Sequence, residues 1–282
     1  MTDFLIYDVF TDSAFGGNPL AVIPDATGLP EALLQSLARE FNFSETTFVF
    51  PPENPAHTAK VRIFTPTREL QFAGHPIVGT AVALSRLRGG QRHIVLELGV
   101  GPIPVTLNAD YARFETRVPL SVSDAPSAAV IAQCVGIPAD AVRTDRHAPI
   151  SAGLGADFVL AELTDQNALA KADGAMDAFR RAADGGRLAL YVYVREGSRI
   201  RARMFAPLGG TQEDPATGSA AAALAAWLGQ LDGASASFDI TQGVEMGRPS
   251  KIEASVTVKN GRPTAVTIGG RAIKVMEGRL AI

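Results

Sequence analysis

Two apolar runs, Ile77-Val78-Gly79-Thr80-Ala81-Val82-Ala83-Leu84 and Ala220-Ala221-Ala222-Ala223-Leu224-Ala225-Ala226-Trp227-Leu228-Gly229, are each long enough for a helix and offer almost no polar face. A helix that is apolar all round is buried, so the chain must build an interior around each. The approaches to the two runs also match. Phe64-Thr65-Pro66 precedes the first and Phe205-Ala206-Pro207 the second, and equal counting from the two phenylalanines sets Ala73 against Asp214. An internal repeat outranks local propensity in deciding a fold, and this one predicts two similar half-chains.

The residues between the runs read mainly as strands. Phe4 to Phe10, Leu20 to Ile23, Thr46 to Phe50, Ala59 to Phe64, Ile94 to Leu98, Ile103 to Leu107 and Ala112 to Arg117 are β-branched, aromatic or alternating. Gly16-Gly17-Asn18-Pro19 reads as a turn, and Leu29-Pro30 opens a helix that runs through Glu40. The polar, serine-rich stretch from Pro119 to Pro126 marks a domain boundary. Beyond it come a helix around Ala128 to Val135, a strand from Phe158 to Leu163, and an alanine-rich helix from Thr164 to Ala183 that Asp184-Gly185-Gly186 ends. Strands follow at Leu188 to Val194, Ile200 to Phe205, Phe238 to Gln242, Ile252 to Val258, Ala265 to Ile268 and Ala272 to Ile282. Short connections favour antiparallel pairing, and the order lacks the regular alternation of a parallel α/β sheet. The expected class is α+β, with one lobe over 1–118 plus a last strand near 270–282, and a second over 119–269.

Both helix entries carry residues able to do chemistry. Pro76 suits the first turn of a helix and disfavours α backbone at the residue before it, which makes His75 the expected cap. Free N–H groups and the positive end of the dipole would then face inward, as a seat for a carboxylate. That end of a helix disfavours an imidazolium, which suits His75 to a neutral donor or proton carrier; the plain alternative is a satisfied core histidine. Glu45 heads a strand, either as an edge carboxylate or as a general acid or base. Asp214 could cap the second helix or stand as a second carboxylate opposite His75. Thr217, Gly218 and Ser219 offer N–H groups and hydroxyls to an anion.

Composition narrows the field. With 282 residues, 46% of them hydrophobic, the chain can fill one large or two small domains. A formal charge of −3, with acidic and basic residues mixed, leaves no footprint for nucleic acid. The single Cys134 excludes an internal disulfide and a cysteine-based metal site. No apolar run reaches the ~18 residues of a membrane span, and the amino terminus enters a strand pattern directly, so a soluble cytoplasmic protein is expected.

Longer motifs add a resemblance. Gly17-Asn18-Pro19-Leu20-Ala21-Val22, Asn42-Phe43-Ser44-Glu45-Thr46-Thr47-Phe48-Val49, Glu69-Leu70-Gln71-Phe72-Ala73-Gly74-His75-Pro76, Glu213-Asp214-Pro215-Ala216-Thr217-Gly218-Ser219-Ala220 and Gln242-Gly243-Val244-Glu245-Met246-Gly247-Arg248-Pro249-Ser250 occur in order over nearly the whole chain. In these the sequence resembles the phenazine-biosynthesis (PhzF-like) isomerase family of the diaminopimelate epimerase superfamily. The resemblance implies two domains, each a curved antiparallel sheet wrapped around a central helix, with the active site in the cleft between them and commonly a homodimer. It implies proton transfer without cofactor or metal on a small carboxylate, with double-bond movement, as in trans-2,3-dihydro-3-hydroxyanthranilate isomerase. Glu45 matches the family's catalytic glutamate, and His75, Asp214 and Ser219 match its site partners, with Gly74 and Gly218 lining the pocket; Glu45, His75 and Asp214 are the catalytic candidates, and Asn18 and Thr217 join Gly74, Gly218 and Ser219 as substrate-binding candidates. Epimerases of the superfamily place a cysteine at each helix entry. Here Ala73 occupies the first, the Asp214–Ser219 turn has no cysteine, and Cys134 matches neither. A thiol-free amino-acid epimerase or racemase, and a non-catalytic binder of small anions, stand as alternatives.

Overall fold

One order of strand pairings runs through the first half of the chain and recurs in the second. The computed structural model describes residues 2–183 and 186–282. The chain divides into two units, Met1–Glu115 with Ile268–Ile282, and Thr116–Thr267. The class is α+β with strands predominating.

The first unit contains β1 (Thr2–Val9), β2 (Asn18–Ile23), α1 (Glu31–Phe41), β3 (Glu45–Phe50), β4 (Ala59–Phe64), β5 (Glu69–Leu70), α2 (Gly74–Leu87), β6 (His93–Leu98), β7 (Gly101–Asn108) and β8 (Tyr111–Thr116). β1 and β2 pair antiparallel; α1 then crosses over, so that β2 and β3 run parallel with Leu20 opposite Glu45. β4 returns antiparallel to β3 and takes the short β5 on it. The second crossover is α2, which leaves β6 parallel to β4 and antiparallel to β7. Residues Gly74 to Ser85 of α2 are all buried, and the helix packs on β1, β2, β3, β6 and β7. Its buried hydroxyls are satisfied: Thr80 donates to Thr47 Oγ1 at 2.9 Å and Ser85 to the Gln91 carbonyl at 2.7 Å. A Cβ at Gly79 would stand 2.6 Å from Leu20 Cδ2 and 2.7 Å from Val9 Cγ2, so glycine lets the helix approach β1 and β2.

The second unit holds β9 (Ser121–Asp124), α3 (Ala128–Cys134), β10 (Ile150–Gly153), β11 (Asp157–Glu162), α4 (Gln166–Lys171), α5 (Met176–Ala182), β12 (Leu190–Glu196), β13 (Arg199–Ala206), β14 (Thr211–Asp214), α6 (Gly218–Asp232), β15 (Ala236–Gln242) and β16 (Ser250–Lys259). β17 (Arg262–Leu280) begins here and ends in the first unit, where it pairs antiparallel with β1. The pairings are antiparallel for β10–β11, β12–β13, β13–β14 and β15–β16, and parallel for β11–β12 and β13–β15. The parallel pairs again straddle helices, α4 with α5 in one case and α6 in the other. α6 is buried on nearly every side and packs on β10, β11, β15 and β16. Cys134 lies in the apolar core that α3, α4 and α5 share with β11 and β12.

Several elements differ from the sequence expectation. The helix expected from Thr164 to Ala183 is two short ones, because tertiary groups take its middle: Arg203 Nη1 donates to the Leu169 and Ala172 carbonyls, while the N–H groups of Asp173 and Ala175 donate to the Val135 and Cys134 carbonyls. Asp184 and Gly185 of the expected stop lie outside the described residues. The serine-rich stretch at 119–126 contains β9, whose four exposed residues carry no apolar pattern and are held by pairing with β10. Asn18 and Pro19 belong to β2 rather than to the turn before it. The last two expected strands are one, since Gly269 and Gly270 continue β17 without a break.

Candidate active site

In the first unit a carboxylate and an imidazole meet. Glu45 opens β3 immediately after the α1 crossover, and His75 lies in the first turn of α2, which packs on β3. His75 Nδ1 is 3.0 Å from Glu45 Oε2, with the side chains 4% and 17% exposed. His75 Nε2 is buried and has no hydrogen-bond partner among the described residues. One proton between Nδ1 and Oε2 serves both groups. With it on Nδ1, Nε2 presents a lone pair; a second proton on Nε2 gives an imidazolium held by the carboxylate. The pair can therefore take up or release a proton at either end.

His75 is not the cap. Ala73 is the N-cap, with extended backbone at φ −156° and ψ 140°, and the helix begins at Gly74. Pro76 sits third in the helix, where a missing N–H is still one of the groups with no intrahelical partner. Its steric pressure on His75 is a tendency that the packed helix overrides. Gly74 is buried at the first helical position. Asn18 is fully buried at the head of β2, in register with Val9.

In the second unit Asp214 ends β14, opposite Met204 of β13, and is 6% exposed. It does not cap α6 either; that place belongs to Thr217. The Thr217 hydroxyl instead donates to Asp214 Oδ2 at 2.6 Å. Gly218 is buried at the start of α6, and Ser219 beside it is half-buried. Among the described residues no three His, Cys, Asp or Glu side chains gather as a metal set.

Two neighbours of Asp214 escape the sequence reading. Gln242, with no exposed surface, donates through Nε2 to the Asp214 carbonyl at 2.7 Å and to Thr217 Oγ1 at 2.9 Å. Tyr191 donates to Gln242 Oε1 at 3.0 Å; burial pushes its phenol well above the ordinary value, and the charge of Asp214 adds to the rise. Alternation along β15 carried a signal for Gln242, because it follows Phe238 and Ile240 on the buried face, where an amide needs partners. Tyr191 had none, lying in a strand buried on both faces. Gly243 next to Gln242 has φ +75°, and a Cβ there would stand 2.6 Å from the Pro215 carbonyl oxygen, so this glycine lets the 243–248 turn lie against Pro215.

Comparison with known proteins agrees with this architecture. The model of the phenazine biosynthesis-like (PhzC-PhzF) family matches residues 7–278. An uncharacterised isomerase of Mesorhizobium japonicum is 38% identical over an alignment of 300 positions covering 99% of each chain. The trans-2,3-dihydro-3-hydroxyanthranilate isomerase of Pseudomonas fluorescens is 36% identical over 100% of both chains. Among solved structures, a PhzF-family phenazine biosynthesis protein of Bacillus anthracis superposes with a TM-score of 0.85, covering 100% of this chain and 99% of its own at 22% identity, a likeness of fold. The chain belongs to the phenazine biosynthesis-like family and is an isomerase.

Proposed function

We propose that the protein moves a proton, and with it a double bond, within a small carboxylate substrate by general acid–base catalysis without a cofactor. The observation that carries this reading is the contact of Glu45 with the nearly buried His75, whose second nitrogen has no partner among the described residues. Glu45 removes a proton from an sp³ carbon next to a conjugated system, and the electron pair shifts along that system. The proton returns to a different carbon, so that substrate and product have the same formula. His75 shares the proton with Glu45, and Asp214, whose Oδ2 accepts from Thr217, is the further acid–base group that the family resemblance assigns. N–H groups at a helix start bind the substrate carboxylate, with Gly74 and Asn18 the candidates near the start of α2 and Thr217, Gly218 and Ser219 those at the start of α6.

The same reading takes each unit as a curved sheet around its buried helix, supported by the five strands on which α2 packs; the sheet is mixed rather than antiparallel as expected, because the helical crossovers leave β2–β3, β4–β6, β11–β12 and β13–β15 parallel. A homodimer, which rests on the family resemblance, and a cytoplasmic location, which rests on the sequence pattern, complete it. Two-thiol epimerisation has no support, because the only cysteine is the core residue Cys134. The test is incubation in D2O with trans-2,3-dihydro-3-hydroxyanthranilate and a panel of cyclic carboxylic acids, followed by mass spectrometry. Deuterium entering product of unchanged carbon skeleton is expected. Inversion of free amino acids in a chiral assay, with no exchange in the panel, would overturn the isomerase reading in favour of a racemase.

A further inference from the structure

The polar groups around Asp214 form a chain whose direction is set by the backbone. The Thr217 N–H can only donate, and it reaches Gln242 Oε1 at 3.2 Å. The Asp214 carbonyl can only accept, and it receives Gln242 Nε2 at 2.7 Å. Contacts of opposite sense at the two ends of one amide leave it a single orientation. The Tyr191 hydroxyl then donates to Oε1 at 3.0 Å, and the second Nε2 proton goes to Thr217 Oγ1 at 2.9 Å. With that lone pair taken, the proton of Thr217 is directed to Asp214 Oδ2, 2.6 Å away. Gln242 thus makes two donations and two acceptances with no exposed surface, and strand pairing on both sides of β15 holds it, opposite Ser250 and Ala202.

We infer that Gln242 is a positioning residue for Asp214: through Thr217 it keeps a donated proton on Oδ2, so that Asp214 works as a carboxylate toward the substrate. The inference rests on the proposal that Asp214 meets the substrate. Tyr191 on β12, which feels the charge of Asp214, itself charges only far above neutral pH, and the Arg203–Glu213 pair of β13 and β14 adjoins Asp214 along its strand. Glu213 precedes Asp214 in its strand, so the two side chains point to opposite faces.

The test follows the Asp214 carboxyl by carbon-13 NMR titration of the full chain without substrate. A hydrogen bond to the charged form favours that form, so in Thr217→Val the titration midpoint should rise by about one pH unit. Thr217→Ser should keep the wild-type midpoint. Gln242→Met, which frees the Thr217 hydroxyl to rotate and also removes the amide's other three bonds, should move it the same way by less, and should add nothing in a Thr217→Val background. The limb of the kcat/KM profile that belongs to Asp214 should shift with the carboxyl. An unmoved midpoint in folded Thr217→Val would overturn the inference, as would a Gln242→Met shift that persists undiminished without the hydroxyl. Should Gln242→Met fail to fold, Thr217→Val and Thr217→Ser decide it. Absence of turnover in the wild type would remove the proposed reaction while leaving the titration able to decide the hydrogen-bond relay.

Discussion

The imidazole of His75 holds the carboxylate of Glu45 at 3.0 Å through Nδ1 and keeps Nε2 buried, with no partner among the described residues. A hydrogen-bonding atom left in that state costs about 1–3 kcal/mol. A histidine present only to fill the core would turn both nitrogens toward partners, so the arrangement fits a group with work to do.

Glu45→Gln preserves shape and a hydrogen bond to Nδ1 while removing the base. Solvent deuterium incorporation and kcat should fall by ~10²–10⁴-fold. If Glu45 and His75 act as a unit, Glu45→Gln combined with His75→Gln should be no slower than the slower single variant. Multiplicative losses in a single-turnover assay would show that they act separately.

Gly243 and Gly247 make a matched comparison. Both have positive φ, +75° and +70°, but a Cβ at Gly243 meets the Pro215 and Arg248 carbonyl oxygens at 2.6 Å, whereas one at Gly247 meets nothing within 4 Å. Gly247→Ala should cost about 1 kcal/mol from backbone strain alone. Gly243→Ala should cost about 2–4 kcal/mol, because the clash adds to that strain, and should also impair activity by moving the Pro215 turn. Urea denaturation of both variants checks the difference.

Arg203 is a buried cation that joins Glu213 of β14 to the carbonyls ending α4. Arg203→Met should destabilise by about 3 kcal/mol, leaving Glu213 without its partner. Adding Glu213→Gln should recover part of the loss. Hydrogen exchange at the end of α4 should accelerate in both, since the carbonyls lose their donor.

Acid stability should depend on Glu97. Its carboxylate accepts the N–H groups of Asn54 and Glu53 and pairs with His57 Nδ1, and the backbone bonds, Asn54 first, hold its pKa below the ordinary 4.5. A folded-state value below the unfolded one contributes stability that is present above pH 4.5 and is lost as pH falls through the folded value. Glu97→Gln should lower the urea midpoint at pH 6 and flatten its decline below pH 4.5. Parallel wild-type and variant curves across that window would count against the assignment.

Residue types alone determined the two buried helices, the glycines and prolines around them, and Glu45, His75 and Asp214 as candidates, because apolar periodicity and backbone stereochemistry are local properties. Contacts between distant segments were decided elsewhere. The 164–183 stretch reads as one helix until Arg203 and the Cys134 and Val135 carbonyls compete for its middle. Pro76 suggests a cap at His75 until packing draws Gly74 and His75 into the helix. Glu45 reaches His75 only because α1 returns β3 parallel to β2 beneath α2. Gln242 meets Asp214 only because β15 pairs with β13 after α6. A single hydrogen bond contributes about 1 kcal/mol, too little to mark its partner in the sequence, yet enough, once the folded sheet has brought the chain segments together, to orient the groups at the site.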